Sequence, residues 1–294
     1  MRRLFQNSHF RDNVLFLVFS FMAFSTEPAL AQENANPYNP INFTQALSTE
    51  RGNLSPGSPD ARYLNKEETC KLVVEMNGWA KESCKEIEYV VFAYQPGIDN
   101  IIIEKPNSGG FVKFDDWDSE EAGSEIENIW NELTEGIKQQ SEQLGEPITA
   151  EKWVVYPTLN KGKSFMYYAF LLNWNGEKVV NIKATLFDRL GYIPFRIVPD
   201  SEKLSENELR EMVETTLASY IPSKEQAYFN FESGDKIAAA GAIGVLATLV
   251  GVKYGKAIGA GFIAIALAFA KKLWFLLFIP LIFLKNRIFG KKAE

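Results

Sequence analysis

Histidine is almost missing from this 294-residue chain: the single copy, His9, lies in a stretch that reads as a cleaved export signal. Arg2, Arg3 and Arg11 form the basic start of that signal, and Val14 to Phe24 form its apolar run. Ala29-Leu30-Ala31 supplies a small-x-small cleavage site, with the cut between Ala31 and Gln32. The run is too short to span a bilayer. A mature chain without histidine lacks the commonest general base, the usual partner of a Ser or Cys nucleophile and the commonest zinc ligand. Its function must rest on carboxylates, hydroxyls, amines, backbone or simple binding.

Cysteine is scarce too. Cys70 and Cys84 are the only two, and both fall in the exported part. In an oxidising compartment such a pair reads as a disulfide, the alternative being two independent buried thiols. Two cysteines without histidine are a poor metal set, so neither a metal nor a cofactor is expected. No phosphate-cradling loop or dinucleotide fingerprint is present; Gly241-Ala242-Ile243-Gly244 lies inside an apolar run.

The net charge of −6 hides an asymmetry. Residues 32–236 carry 20 basic and 34 acidic side chains, near −14, whereas the residues after Lys236 carry eight basic and one acidic, +7. The acidic part repels phosphate backbones and excludes nucleic acid as a partner. The basic tail suits anionic lipid headgroups.

Residues 1–31 are thus read as a signal peptide and 32–61, rich in Asn, Pro, Ser and Gly, as a flexible leader. Residues 62–232 form an exported domain, and 233–294 a membrane anchor with a basic end. Within the domain a short helix is expected around Lys66 to Met76. Strands are expected at Tyr89 to Tyr94, Ile101 to Glu104, Phe111 to Phe114, Trp153 to Tyr156 and Tyr192 to Val198. The strongest strand signal is Phe165 to Trp174, then Asn175-Gly176, then Lys178 to Leu186, because Asn-Gly supplies the positive φ angles of a two-residue hairpin. Ile126, Ile129, Trp130, Leu133, Ile137 and Leu144 define one amphipathic helix, started by a capping box of Asp118 and Glu121 and stopped by Gly145 and Pro147. Ser205 and Glu208 open a second, running to about Ile221. The fold class is α+β, an antiparallel sheet with amphipathic helices, followed by C-terminal transmembrane helices.

That anchor is expected as two helices, about 237–256 and 262–284; a single crossing plus an interfacial helix is the alternative. Gly251, Gly255 and Gly259 make a small-xxx-small row for close helix packing, or else reflect ordinary glycine enrichment.

Several segments carry a resemblance. Gly109 to Asp116, Gly-Gly-Phe-Val-Lys-Phe-Asp-Asp, resembles the Gly-Tyr-Val-Lys-Asp-Asp segment of a family of bacterial membrane-anchored proteins whose shared domain has no assigned function. Phe165 to Trp174 with Val179 to Ile182 is similar to that family's paired strands, and Arg189-Leu190-Gly191-Tyr192 to its Gly-containing turn. Tyr228 to Phe231 and Gly234 to Ala239 resemble its Asp-Lys-hydrophobic-Ala-Ala junction. The family's usual Trp-Gly-Asn-Pro segment is replaced here by Gly78-Trp79 alone. The resemblance implies a membrane anchor and an α+β exported domain, and supplies no reaction.

Asp115, Asp116, Asp118, Glu120 and Glu121 form the densest carboxylate cluster. As a site it would use Asp115 and Asp116 as metal ligands or an acid–base pair. Against the site, neighbouring residues on a strand point to opposite faces and converge poorly on one ion; as structure, acidic residues in a first turn favour the helix dipole. Asp235-Lys236 reads as an ion pair at the membrane junction. Trp117, Trp130, Trp153, Trp174, Tyr167, Tyr168 and Phe170 read as core, with any left exposed forming a partner surface. The expected function is a non-enzymatic role in protein interaction or envelope and membrane-complex assembly, on the extracytoplasmic side of a bacterial inner membrane. Its expected partners are membrane lipids and a protein, or a second copy. The alternative is a histidine-free, carboxylate-dependent or metal-binding envelope enzyme using Asp115 or Asp116.

Overall fold

The structure, a computed structural model, describes residues 38–76 and 81–252. Eight strands form one antiparallel sheet in the order β1 (Ile41–Asn42), β4 (Arg62–Leu64), β5 (Ile87–Phe92), β6 (Ile98–Glu104), β10 (Gly191–Pro199), β9 (Glu177–Asp188), β8 (Phe165–Trp174) and β7 (Ile148–Asn160). Beside the β7 edge lies the Asn-Gly hairpin of β8 and β9. Asn175 and Gly176 have φ of 52° and 89°, and Trp174 stands opposite Glu177, so the turn sets the register of β8 on β9.

Both faces of the sheet are covered, which is why β8 to β10 read as nearly unbroken apolar runs. On one face Tyr167, Ala169, Ile182, Ala184 and Phe195 pack with Leu209, Met212, Val213 and Leu217 of α3 (Glu206–Ala218). A small second sheet adds Leu47 and Leu54 there; its order is β11 (Tyr220–Pro222), β3 (Gly52–Leu54), β2 (Leu47–Ser48). On the other face Met166, Tyr168, Phe170, Leu172 and Phe187 meet Ile126, Ile129, Leu133 and Ile137 of α2 (Ala122–Leu144), together with α4 (Ala242–Val250). A third cluster sets Leu72, Val73 and Cys84, just after α1 (Lys66–Lys71), against Val90, Phe92 and Ile102. Cys70 and Cys84 are joined in a disulfide.

The α+β expectation with transmembrane helices is corrected. The molecule is mostly an antiparallel β-sheet domain with few helices, and no helix among the described residues is long and apolar enough to cross a membrane. The stretch expected as an anchor helix at 237–256 instead contributes α4, nine residues long and broken at Gly251, whose φ is 90°. The physical reason is amphiphilic competition: an apolar helix can bury its surface against a sheet as well as in lipid. Ile243, Leu246 and Val250 are almost wholly buried against the domain, on the order of 2 kcal/mol each. The expected second helix at 262–284 lies outside the described residues, as do Ala31, Gln32, Gly255 and Gly259.

Residues expected in a flexible leader also belong to the fold. β1, β2 and β3 lie between Ile41 and Leu54, and Phe43, Leu47 and Leu54 are buried in the core. Sparse apolar residues at the right pleat positions suffice for such short strands. The Phe111 to Phe114 strand reduces to one parallel bridge between Phe111 and Ile237. Asp118 does not cap α2; it ends a 3-10 turn at Asp115–Asp118 and pairs with Lys161. Ser205 and Glu208 form a capping box at α3, which ends at Ala218 so that Tyr220–Pro222 can join the small sheet.

Candidate functional site: the junction face

Three segments far apart in sequence meet at one end of the β9–β10 hairpin. The Gly110 amide donates to the Leu190 carbonyl at 3.0 Å, and the Phe111 amide to the Lys236 carbonyl at 2.7 Å. Ala238 returns a bond to the Phe111 carbonyl at 2.9 Å. Gly110 is required here twice over: its φ is +118°, and a Cβ would stand 2.7 Å from the Lys236 carbonyl oxygen. They fall within three of the segments, 109–116, 189–192 and 228–239, that carry the resemblance described above.

Charged groups fix the assembly from beneath. Asp188, at the end of β9, is fully buried and accepts from Arg51 through both carboxylate oxygens at 2.7 Å, and from the Leu190 amide at 2.8 Å. Arg51 also donates to the Ser108 hydroxyl. Arg189 reaches the other way, with Nε and Nη2 on the two oxygens of Asp235 at 2.6 and 2.7 Å and a further bond to Glu232. The expected Asp235-Lys236 pair is therefore an Asp235–Arg189 pair. Hydrogen bonding from Arg189 holds the Asp235 carboxyl below the usual range.

Asp115 and Asp116 part company. Asp116 accepts from the Ala242 and Ile243 amides at 2.9 Å each, which satisfies two free donors at the start of α4 and places a negative charge at the positive end of its dipole. A Cβ on Gly241 would overlap that carboxylate, so glycine at 241 is what lets Asp116 reach the helix. Burial raises the Asp116 pKa, against the lowering effect of the amide bonds. Asp115 instead lines a shallow groove of about 390 Å³ with Lys113, Lys161 and Tyr228. The two carboxylates do not converge on one point.

The far end of α4 carries a second side-chain contact. Lys183 of β9, almost wholly buried, donates to the Leu249 carbonyl at 2.6 Å. Arg196 stands opposite Lys183 on β10 and is paired with Glu104. Tyr168 stands opposite it on β8, with a hydroxyl that has no hydrogen-bond partner among the described residues. Burial, helped by the Arg196 charge and opposed by Glu104, pulls the Lys183 pKa down to about 7. α4 is thus held at its N-terminus by an accepting carboxylate and at its C-terminus by a donating amine, each meeting the backbone groups that the helix leaves unpaired.

The outward side is aromatic. Phe114 stacks on Tyr228 with centroids 4.7 Å apart, and Phe111 lies 4.5 Å from Tyr228 and 4.4 Å from Phe231. The Tyr228 hydroxyl donates to the Val112 carbonyl at 2.7 Å, and burial raises its pKa. Four apolar neighbours face water: Phe229 at 70 % exposure, Ile237 at 41 %, Phe231 and Leu190 at 40 % each. The tryptophans and tyrosines expected in the core do pack there, Tyr167, Tyr168 and Phe170 fully and Trp117, Trp130, Trp153 and Trp174 in part. The exposed rings are others.

Sequence reasoning missed Lys183 and Arg51. Lys183 left little signal, since its strand face of Val179, Asn181, Lys183, Thr185 and Phe187 is mixed and a lysine there reads as an ordinary polar position. Arg51 left none, being one arginine in a polar stretch.

Residues 44–282 match the family described as a protein of unknown function, DUF2167, and the chain belongs to that family. No curated protein and no solved structure matches it.

Proposed function

We propose that this member of the DUF2167 family is an extracytoplasmic envelope protein that acts by contact rather than by turnover, with the junction face as its contact surface. The observation that carries this reading is the make-up of that face. Its exposed large apolar groups are Leu190, Phe229, Phe231 and Ile237, while its best-placed carboxylates are engaged in structure, Asp116 on α4, Asp188 on Arg51 and Asp235 on Arg189. Contiguous exposed apolar side chains on a framework of buried ion pairs suit binding, because the framework holds the rings in place while they give up water. Such a surface supports a role in assembly. The extracytoplasmic side is supported by the Cys70–Cys84 disulfide, a bond that persists in oxidising compartments, and by the export signal read from residues 1–31.

The test is a photo-crosslinking residue placed at position 229 in the producing cell, compared with one at Tyr156, an exposed ring on β7. The reading predicts a discrete adduct from position 229 and none from position 156. Equal, diffuse labelling from both positions would refute it.

A further inference from the structure

We propose that the junction face rests on a lipid bilayer surface, with Phe229, Phe231, Ile237 and Leu190 set among the headgroups; this deepens, and depends on, the contact reading above. Three observations select lipid. The face carries four exposed large apolar side chains, among them two phenylalanines on a tight turn, Tyr228–Asn230, and its flank, so Phe229 stands out with 70 % of its surface in water. Side chains of this kind enter the headgroup boundary without needing a shaped pocket.

The face is also close to neutral within a domain near −14. Arg189 is bonded to both Asp235 and Glu232, and Lys236 is exposed alongside. The rings therefore sit on a part of the acidic domain that can approach a membrane without strong repulsion.

Chain position supplies the third argument. Ile237 lies on the face, and the chain runs from it through α4, nine residues or about 13 Å long, to Val252. The 42 residues that follow contain two apolar blocks, Ala257 to Ala270 and Leu273 to Leu284, with eight basic side chains and one acidic. That composition matches an anionic lipid surface, and the face lies within about one short helix of where it starts. Lipid contact by the face needs no helix to cross.

The experiment uses the full-length protein. Both native cysteines are consumed by the disulfide, so Phe229→Cys and, separately, Tyr156→Cys each give one free thiol for a nitroxide label. Protein-free vesicles of phosphatidylethanolamine and phosphatidylglycerol are added, and label accessibility to a water-soluble paramagnetic chelate and to oxygen is read by electron paramagnetic resonance. The proposal predicts a several-fold loss of chelate accessibility at position 229 with retained oxygen accessibility, and no change at position 156. A second label through Leu190→Cys should follow position 229. Position 229 remaining as open to chelate as position 156 would overturn lipid as the occupant. The contact reading would then stand or fall on its own crosslinking test, where a protein adduct at position 229 supports contact but not lipid.

Discussion

The Asp116 carboxylate and the Ile243 amide, 127 residues apart in sequence, meet at 2.9 Å. This contact, doubled by the Ala242 amide, turns an apolar segment into part of a folded domain. Asp116→Ala should destabilise the protein by about 1–2 kcal/mol, the usual loss for a helix N-terminal acceptor. Asp116→Asn, which keeps an acceptor oxygen, should lose less. Urea unfolding of the three proteins checks the order.

Lys183 sets a pH dependence. Its folded pKa of about 7 lies below the ordinary 10.5, so between those values the folded chain holds fewer protons than the unfolded one. Stability from this group therefore rises with pH across that window, and the penalty of a buried ammonium is fully present below about pH 7. Lys183→Met should flatten the rise, and its melting temperature should exceed that of the parent most clearly near pH 6. Melting curves at pH 6, 8 and 9.5 decide this. A parent curve with no rise attributable to Lys183 would show that the amine is not held neutral.

Arg51 and Asp188 are both buried and bonded to one another. Removing one partner strands the other charge, so Arg51→Ala should lose about 3–5 kcal/mol. The double variant Arg51→Ala, Asp188→Ala should lose clearly less than the sum of the single losses, because no isolated charge remains. A denaturation double-mutant cycle measures the difference.

The disulfide closes a separation of 14 residues, and replacing both cysteines by serine should lower stability by roughly 3 kcal/mol on the chain-entropy model. The loss should appear as an earlier urea midpoint with the junction face unaffected.

How much of this was written in the sequence depends on the range of the interaction. The β8–β9 hairpin was legible because Asn175-Gly176 fixes it locally, and so was the start of α3 because Ser205 and Glu208 lie three residues apart. The start of α2 misled because Asp118 and Glu121 have capping-box spacing, yet Lys161, 43 residues on, takes Asp118. Residues 237–252 misled for a deeper reason. Hydropathy records how much surface must leave water and is silent on whether lipid or a neighbouring sheet receives it. Asp116 was singled out as a site residue, but its purpose depended on a glycine and two amides more than a hundred residues away. Lys183 and Arg51 needed partners of the same remote kind.

The account depends most on the junction being folded onto the sheet, and amide hydrogen exchange in the full-length protein tests that directly. The amides of Phe111, Ala238 and Ile243, bonded to Lys236, Phe111 and Asp116 respectively, should exchange far more slowly than an unfolded chain, approaching the protection of Phe170 in the middle of β8. Exchange of these three at unfolded-chain rates, with Phe170 still protected, would contradict the account.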